Sequence, residues 1–397
     1  MQEVNEATLS RSSETAKIAI AKLRTFIESQ SFRGYDPYDA LNSPLLRLIS
    51  VGRKYPRIAM IQLMKRLPWN LRPLLLIPKG LNPKGLGLFL WGYAKLYEAT
   101  GDPTCREICE QHIGLLKETQ SGGWSGAAWG YNFDWQSRAF FVPKGTPTIV
   151  NSSFIGHALL DAYEFCGLEA ARDLAVKIRP FLLHDLHRSR CGDTFCFSYT
   201  PHDKTIVHNA NLLGASLLIR LDHYEPCDEA KSVALRALKY SLDRQRVDGS
   251  WWYADTDYQQ WIDSFHTGFN LQAIQYFLDA GAAEEYREQF ARGIQFYADR
   301  FFLSDGTAKY FHDRTFPIDV HSYAQAIVFF SRIGGHDALL DRILTKFLMT
   351  FQNEKGFFYF QQNKYCTNRI PYIRWSQAWA FHALTEYLLR DKDINRC

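Results

Sequence analysis

Residues 248–270 read DGSWWYADTDYQQWIDSFHTGFN, and they set out a plan that the rest of the chain repeats. A helical run ends at Gln245, Asp248-Gly249 supplies a turn, and Trp251, Trp252 and Tyr253 form an aromatic cluster. A polar loop then leads to Asp263 and His266, after which a second, more apolar helical run begins. The same plan recurs as GGW at 122–124, GDTFCFSY at 192–199, DGTAKYF at 305–311 and KGFFYF at 355–360. The residues that open each following helix align as Asn151, His208, His266, His321 and Arg374, spaced 57, 58, 55 and 53 apart. A fixed period of this size signals a repeat architecture.

Around that repeat the helices pair. The runs 102–120, 168–187, 227–245, 283–303 and 336–352 are amphipathic, with charged residues such as Lys231, Arg236 and Lys239 on one wet side. The runs 84–100, 151–166, 209–222, 267–280, 321–333 and 375–390 are apolar nearly all round, which is the pattern of buried helices. Counting the helical region 44–68 as the first outer helix gives six inner and six outer helices. The expected fold is all-α, an (α/α)6 toroid over 44–397 with an N-terminal helical extension over 1–43 packed on it. Inner-helix N-termini then share one end of the toroid, where their partial positive charge favours an anionic or heavily hydroxylated ligand.

The bulk composition fits such a body. Of 397 residues 46% are hydrophobic and 15% aromatic, so a large core can be buried. A net charge of +4 with no dense Lys/Arg run gives no case for nucleic acid. The N-terminal MQEVNEATLSRSS has acidic residues and no apolar core, so it does not read as a secretory signal, and no apolar stretch is long enough for a membrane span. The eight cysteines are scattered without paired CxxC elements, which favours reduced structural thiols in a cytoplasmic protein over a zinc site. No cofactor is implied. In the extension, Tyr35-Asp36 and Tyr38-Asp39 either pack the segment onto the body or lay a carboxylate over the mouth.

Asn151, His208, His266, His321 and Arg374 are the leading candidates for a site. His and Arg are poor helix N-caps, and a cation at the positive end of a helix is unfavourable by about 0.3–1 kcal/mol. Asp263 and Asp319 stand beside two of the histidines, where a carboxylate fixes a tautomer and raises basicity. The long loop from Trp124 to Ile149 offers Trp129, Tyr131 and Trp135 as platforms for a sugar ring, with Asp134, Arg138 and Lys144 as polar partners. Arg314 follows His312-Asp313, and Arg369 lies between Tyr365 and Tyr372, so both are candidate partners for an anion.

The Gly-aromatic turn followed by an apolar helix resembles the toroids of terpenoid cyclases and carbohydrate-active enzymes. In particular IPYIRWSQAWAFHAL, 370–384, resembles the C-terminal toroid segment of heparosan glucuronyl C5-epimerases, where an Arg-Trp pair opens an inner helix. The layout is also similar to toroid polysaccharide lyases and unsaturated-glucuronyl hydrolases. The chain lacks the β-sandwich domain of those epimerases. It also lacks the DxDD run of protonating terpenoid cyclases; its nearest approach is Asp255-Thr256-Asp257-Tyr258.

The resemblance implies an enzyme on uronic-acid-containing glycans, an epimerase or lyase that removes the C5 proton, in a polysaccharide pathway. Arg374, with Arg369 or Arg314, would neutralise the carboxylate; His266 or His321, with Tyr253 or Tyr131, would serve as base and acid; Trp135 and Trp252 would position the sugar. A glycoside hydrolase on the same fold would need paired carboxylates, Asp134 with Asp263 or Asp263 with Asp319. A non-catalytic glycan-binding or assembly protein is the third expectation.

Overall fold

The computed structural model describes residues 2–137 and 140–394. The chain opens with a long helix, α1 (Gln2–Ser29), followed by two shorter ones, α2 (Pro44–Ser50) and α3 (Lys54–Arg66). Helices then alternate as α4 (Pro83–Thr100), α5 (Pro103–Glu118), α6 (Ile149–Cys166), α7 (Glu169–Val176), α8 (His208–Tyr224) and α9 (Asp228–Leu242). The series ends with α10 (Ser264–Asp279), α11 (Arg287–Phe301), α12 (Val320–Ile333), α13 (Asp337–Phe351) and α14 (Trp379–Ile394).

Local chemistry sets many of the boundaries. Asn82 caps α4 by accepting from the Gly85 N–H at 3.2 Å, with Pro83 in the first helical position, and Gly101 closes the helix at φ 72°. Thr148, Asp263 and Asp319 cap α6, α10 and α12 in the same manner. Between the helices lie short antiparallel hairpins, β1 (Trp135–Gln136) with β2 (Phe141–Val142) and β3 (Arg188–Cys191) with β4 (Thr194–Phe197). A third small sheet orders β5 (Ile318–Asp319), β6 (Gln361–Gln362) and β7 (Thr367–Asn368).

The even-numbered helices from α4 to α14 form a closed inner ring. α4 packs on α6, and so on in order to α12 on α14, and α14 returns to α4. Each is buried over most of its length, as its apolar sequence requires. Close approach uses small residues: a Cβ on Gly156 of α6 would fall 2.4 Å from Leu217 of α8. The outer helices α5, α7, α9, α11 and α13 each lie on the inner helix before them, and α1 lies on α14.

That last contact corrects one expectation. The sixth outer place belongs to α1, not to residues 44–68. The glycine turns show why. A Cβ on Gly249 would meet the Arg292 carbonyl oxygen of α11 at 2.3 Å, and one on Gly306 the Arg342 oxygen of α13 at 2.3 Å. A Cβ on Gly356 would meet the Lys22 oxygen of α1 at 2.4 Å, so α1 continues the series. Residues 40–77 form a separate small unit around Ala40, Leu41, Ile61, Met64 and Ile77, and α3 packs against β1 beside the inner-helix N-termini.

The opposite end of the ring opens into a cleft of about 940 Å³ with a different lining. Each inner helix contributes polar side chains to it, among them Lys95, Asp161, Arg220, Tyr276, Arg332 and Glu386. Lys95 pairs with Glu386, Arg220 with Asp161 at 2.8 Å, and Arg332 donates to the Tyr276 hydroxyl at 2.8 Å.

Gly356→Ala is expected to combine the left-handed backbone penalty (φ 89°) with overpacking against α1, for a loss of about 2–5 kcal/mol. Gly101→Ala, at φ 72° with open space around it, incurs only the backbone part, about 1–2 kcal/mol. Urea unfolding of both variants checks the ordering; equal losses would remove α1 from the ring.

Candidate active site

The N-terminal end of the inner ring holds a cavity of about 570 Å³. α3 and the β1–β2 hairpin form part of its wall, and its depth is set by Lys84, His266, His321 and Arg374.

His266 occupies the first turn of α10 and is held by its own helix cap. Asp263 is buried; one carboxylate oxygen accepts the His266 backbone N–H at 3.0 Å. The other oxygen accepts the Trp261 indole N–H at 2.9 Å and lies 2.7 Å from His266 Nδ1. A carboxylate oxygen accepts, so Nδ1 is the donor of this pair; in the neutral ring that tautomer leaves the lone pair on Nε2. The ring is partly open to the cavity, with Tyr253 at 4.6 Å on one side.

His321 stands in the first turn of α12, stacked on Phe265 at 4.6 Å with Trp379 at 4.3 Å and Trp375 edge-on at 4.8 Å. Phe265 also touches His266 at 4.4 Å, so one phenyl ring separates the two imidazoles. Both nitrogens of His321 are buried without a hydrogen-bond partner. Burial, then the charges of Lys84 and Arg374, holds its pKa well below the ordinary histidine value, so the ring is neutral.

Lys84 is a cavity-lining group that sequence reasoning missed. It sits in the first turn of α4, wholly buried, with its ammonium nitrogen 4.0 Å from the centre of the Phe154 ring and 5.4 Å from that of Trp379. Burial, reinforced by the Arg374 charge, drives its pKa well below the lysine value. Arg374 is not free for a ligand: its fork grips Asp36 at 2.7 and 2.8 Å, both partners buried. Next to this pair Arg72 donates to Asp39 at 2.7 Å and to the Asp36 carbonyl at 2.8 Å. The Tyr35–Asp39 segment is thereby locked across the mouth, and Tyr38 joins the cavity wall.

Aromatic faces line the remainder. Tyr253 stacks on Trp261 at 4.5 Å, Tyr131 on Phe133 at 5.1 Å, and Trp135 lies near Tyr131 and Tyr199. Burial raises the pKa values of Tyr131 and Tyr253, so both are proton donors rather than bases at neutral pH.

Other predicted residues fall elsewhere. His208 is buried against Asp255 at 2.8 Å and Ser241 at 3.3 Å, and Asn151 is sealed inside packing; their neighbours Asn209 and Val150 line the cavity instead. One residue along a helix turns a side chain by about 100°, which is enough to remove both from the site. Asp319 is consumed by structure: it accepts from His321 N–H, Trp375 Nε1 and Gln361 Nε2, all at 2.9 Å. Asp134 accepts the Lys144 N–H at 2.7 Å within the hairpin. Trp252 lies under the Arg246 guanidinium at 4.5 Å, outside this cavity, and Trp129 is fully buried with its indole N–H donated to the Leu116 carbonyl at 2.7 Å, whereas Trp261 lines the cavity. Arg369 lines a separate cleft with Trp69 and Tyr365, and Arg314 lies over Phe311 at 4.1 Å on the surface. Arg138 lies outside the described residues. No Asp or Glu lines the cavity among the described residues.

No family model matches the chain, and no curated protein matches it. Solved structures do. The chain is similar to a sugar epimerase from a ruminal bacterium, at 13% identity, with 79% of this chain and 90% of that one covered and a TM-score of 0.58. It is similar to cellobiose 2-epimerase from Bacillus thermoamylovorans B4167, at 10% identity, 79% and 89% coverage and a TM-score of 0.60. A family 76 α-mannanase from Bacteroides thetaiotaomicron aligns at 12% identity, 79% and 87% coverage and a TM-score of 0.58. The fold is the (α/α)6 toroid. At these identities the likeness establishes the architecture, and the chemistry has to be argued from the cavity.

Because Arg374 and Asp36 are paired and buried, Arg374→Ala strands a carboxylate and is expected to cost about 3–5 kcal/mol of stability. Thermal and urea unfolding check this; an Arg374 variant that folds normally would argue for a ligand role instead.

Proposed function

We propose that the protein is a carbohydrate-active enzyme that removes and returns a proton at a sugar carbon next to a carbonyl or carboxylate group. The observation that carries this reading is the pairing of His266 and His321 in one aromatic cavity whose described lining has no carboxylate. His266 Nε2, with Nδ1 tied to Asp263, is the base; neutral His321, or the phenol of Tyr253 or Tyr131, is the acid that stabilises the developing enolate oxygen or returns the proton. The stacked faces of Tyr253–Trp261 and of Trp135 suit the apolar sides of pyranose rings. Similarity to structures named as sugar epimerases supports the same class.

For the substrate we favour a uronic acid reacting at C5, by epimerisation or elimination. Two basic side chains line the cavity besides the occupied Arg374: Arg66 on α3 and Lys84. A carboxylate arriving beside Lys84 would restore its proton and be neutralised by it. A paired-carboxylate hydrolase has less support, since Asp134, Asp263 and Asp319 are each engaged in caps or turns.

Incubation with uronate polysaccharides in deuterated water tests this directly. Deuterium at C5 supports epimerisation, and absorbance from an unsaturated uronate supports elimination. Release of reducing ends alone would overturn the reading in favour of hydrolysis. Replacing His266 or His321 by Ala is expected to lower kcat/KM by roughly 10²–10⁴-fold. Asp263→Asn keeps a capping oxygen but forfeits the tautomer control, and is expected to lower kcat by a similar factor with little change in Tm. Weakened glycan binding in the histidine variants with no turnover in the parent protein would indicate a binding protein instead.

A further inference from the structure

Outside the cavity, the unit formed by α2, α3 and the loop after them has an unusual surface. Of the fifteen large hydrophobic residues exposed among the described residues, nine lie between Leu45 and Leu76. Leu48 is 78% exposed, Ile49 64%, Val51 73% and Tyr55 79%. A monomeric protein rarely leaves such side chains grouped in water. Two of the nine are held by strained backbone: Val51 at φ 46° and Leu76 at φ 55°. A β-branched residue in the left-handed region is an outlier, and here it turns an apolar side chain outward at the α2–α3 corner.

The charge pattern is equally one-sided. From Ala40 to Ile77 the chain carries five arginines, of which Arg72 is buried, two lysines and no aspartate or glutamate. Arg47, Arg53 and Lys54 are exposed, interleaved with the apolar residues, and form no ion pair among the described residues. We infer that this surface docks on a membrane whose headgroups are anionic, the apolar side chains entering the interface and the basic ones meeting lipid phosphates. A second copy of the same face is a poor occupant, because it would bring arginines against arginines in a buried contact.

α3 connects this surface to the cavity. Tyr55, Ala59 and Leu63, four residues apart, form its exposed row, while Ile58, Gln62 and Arg66 form the row that lines the cavity. The rows are neighbours on the helix, about 100° apart. Docking through the first row therefore sets the mouth beside the lipid surface.

Flotation of the full chain with vesicles tests the inference. Binding is expected to vesicles of phosphatidylglycerol and phosphatidylcholine in equal parts, to weaken with added salt, and to be absent with phosphatidylcholine alone. Leu48→Glu with Ile49→Glu changes two exposed side chains and is expected to weaken binding more than about tenfold. Arg53→Ala with Lys54→Ala is expected to weaken it by about fivefold per charge removed. Met349→Glu, an equally exposed residue on α13, serves as the control and keeps full binding. Absence of binding, equal binding to neutral vesicles, or no effect of the paired Glu substitutions would overturn the inference. So would a dimer in light scattering that the Glu pair dissolves while no vesicle is bound, which would make the face a self-interface.

Discussion

The two-pronged bond between Asp36 and Arg374 joins the beginning of the chain to its end, and much of the mouth depends on it. Asp36 belongs to the segment that leaves α1, and Arg374 to the turn that leads into α14, so the pair closes the ring at the seam where the first and last helices meet. A buried ion pair seldom adds much net stability, because desolvation offsets most of the attraction. Its consequence lies in what it orders. The pair holds Tyr38 in the cavity wall and keeps a guanidinium charge beside Lys84 and His321, where it pushes both toward their neutral forms.

The two ends of the toroid are thereby differentiated. At the C-terminal end of the inner helices the dipoles are negative, and Lys95, Arg220 and Arg332 answer them within a network that includes Asp161 and Glu386. At the N-terminal end the dipoles are positive, and the buried carboxylates of Asp263 and Asp319 answer those of α10 and α12 as caps, while no carboxylate lines the described cavity itself.

Much of this was legible in the sequence and some was not. The repeat spacing and the all-round apolar helices lead to the double ring, and the Asp263–His266 spacing leads to the cap that orders His266. The roles of α1 and of residues 44–68 were exchanged because amphipathicity marks an outer helix without saying which partner it meets. Asn151 and His208 were displaced by single-residue shifts, to which a period of some 55 residues is blind. Lys84 lay in an unremarkable Pro-Lys-Gly, and only burial makes its amine unusual. Arg374 aligned correctly, but a sequence does not show that an aspartate more than 300 residues away has already claimed it.

The lowered pKa values of Lys84 and His321 bear on how the proposed substrate would be received. An ammonium buried among Phe154, Phe269 and Trp379 is costly without a counter-ion, so burial shifts Lys84 toward the free amine. Under the proposed function, a carboxylate entering beside Lys84 would supply that counter-ion and reverse the preference. Binding of an anionic sugar would then be coupled to uptake of a proton from solvent, whereas a neutral sugar would leave the amine as it was. Aromatic stacking, which treats both sugars alike, would provide no such distinction.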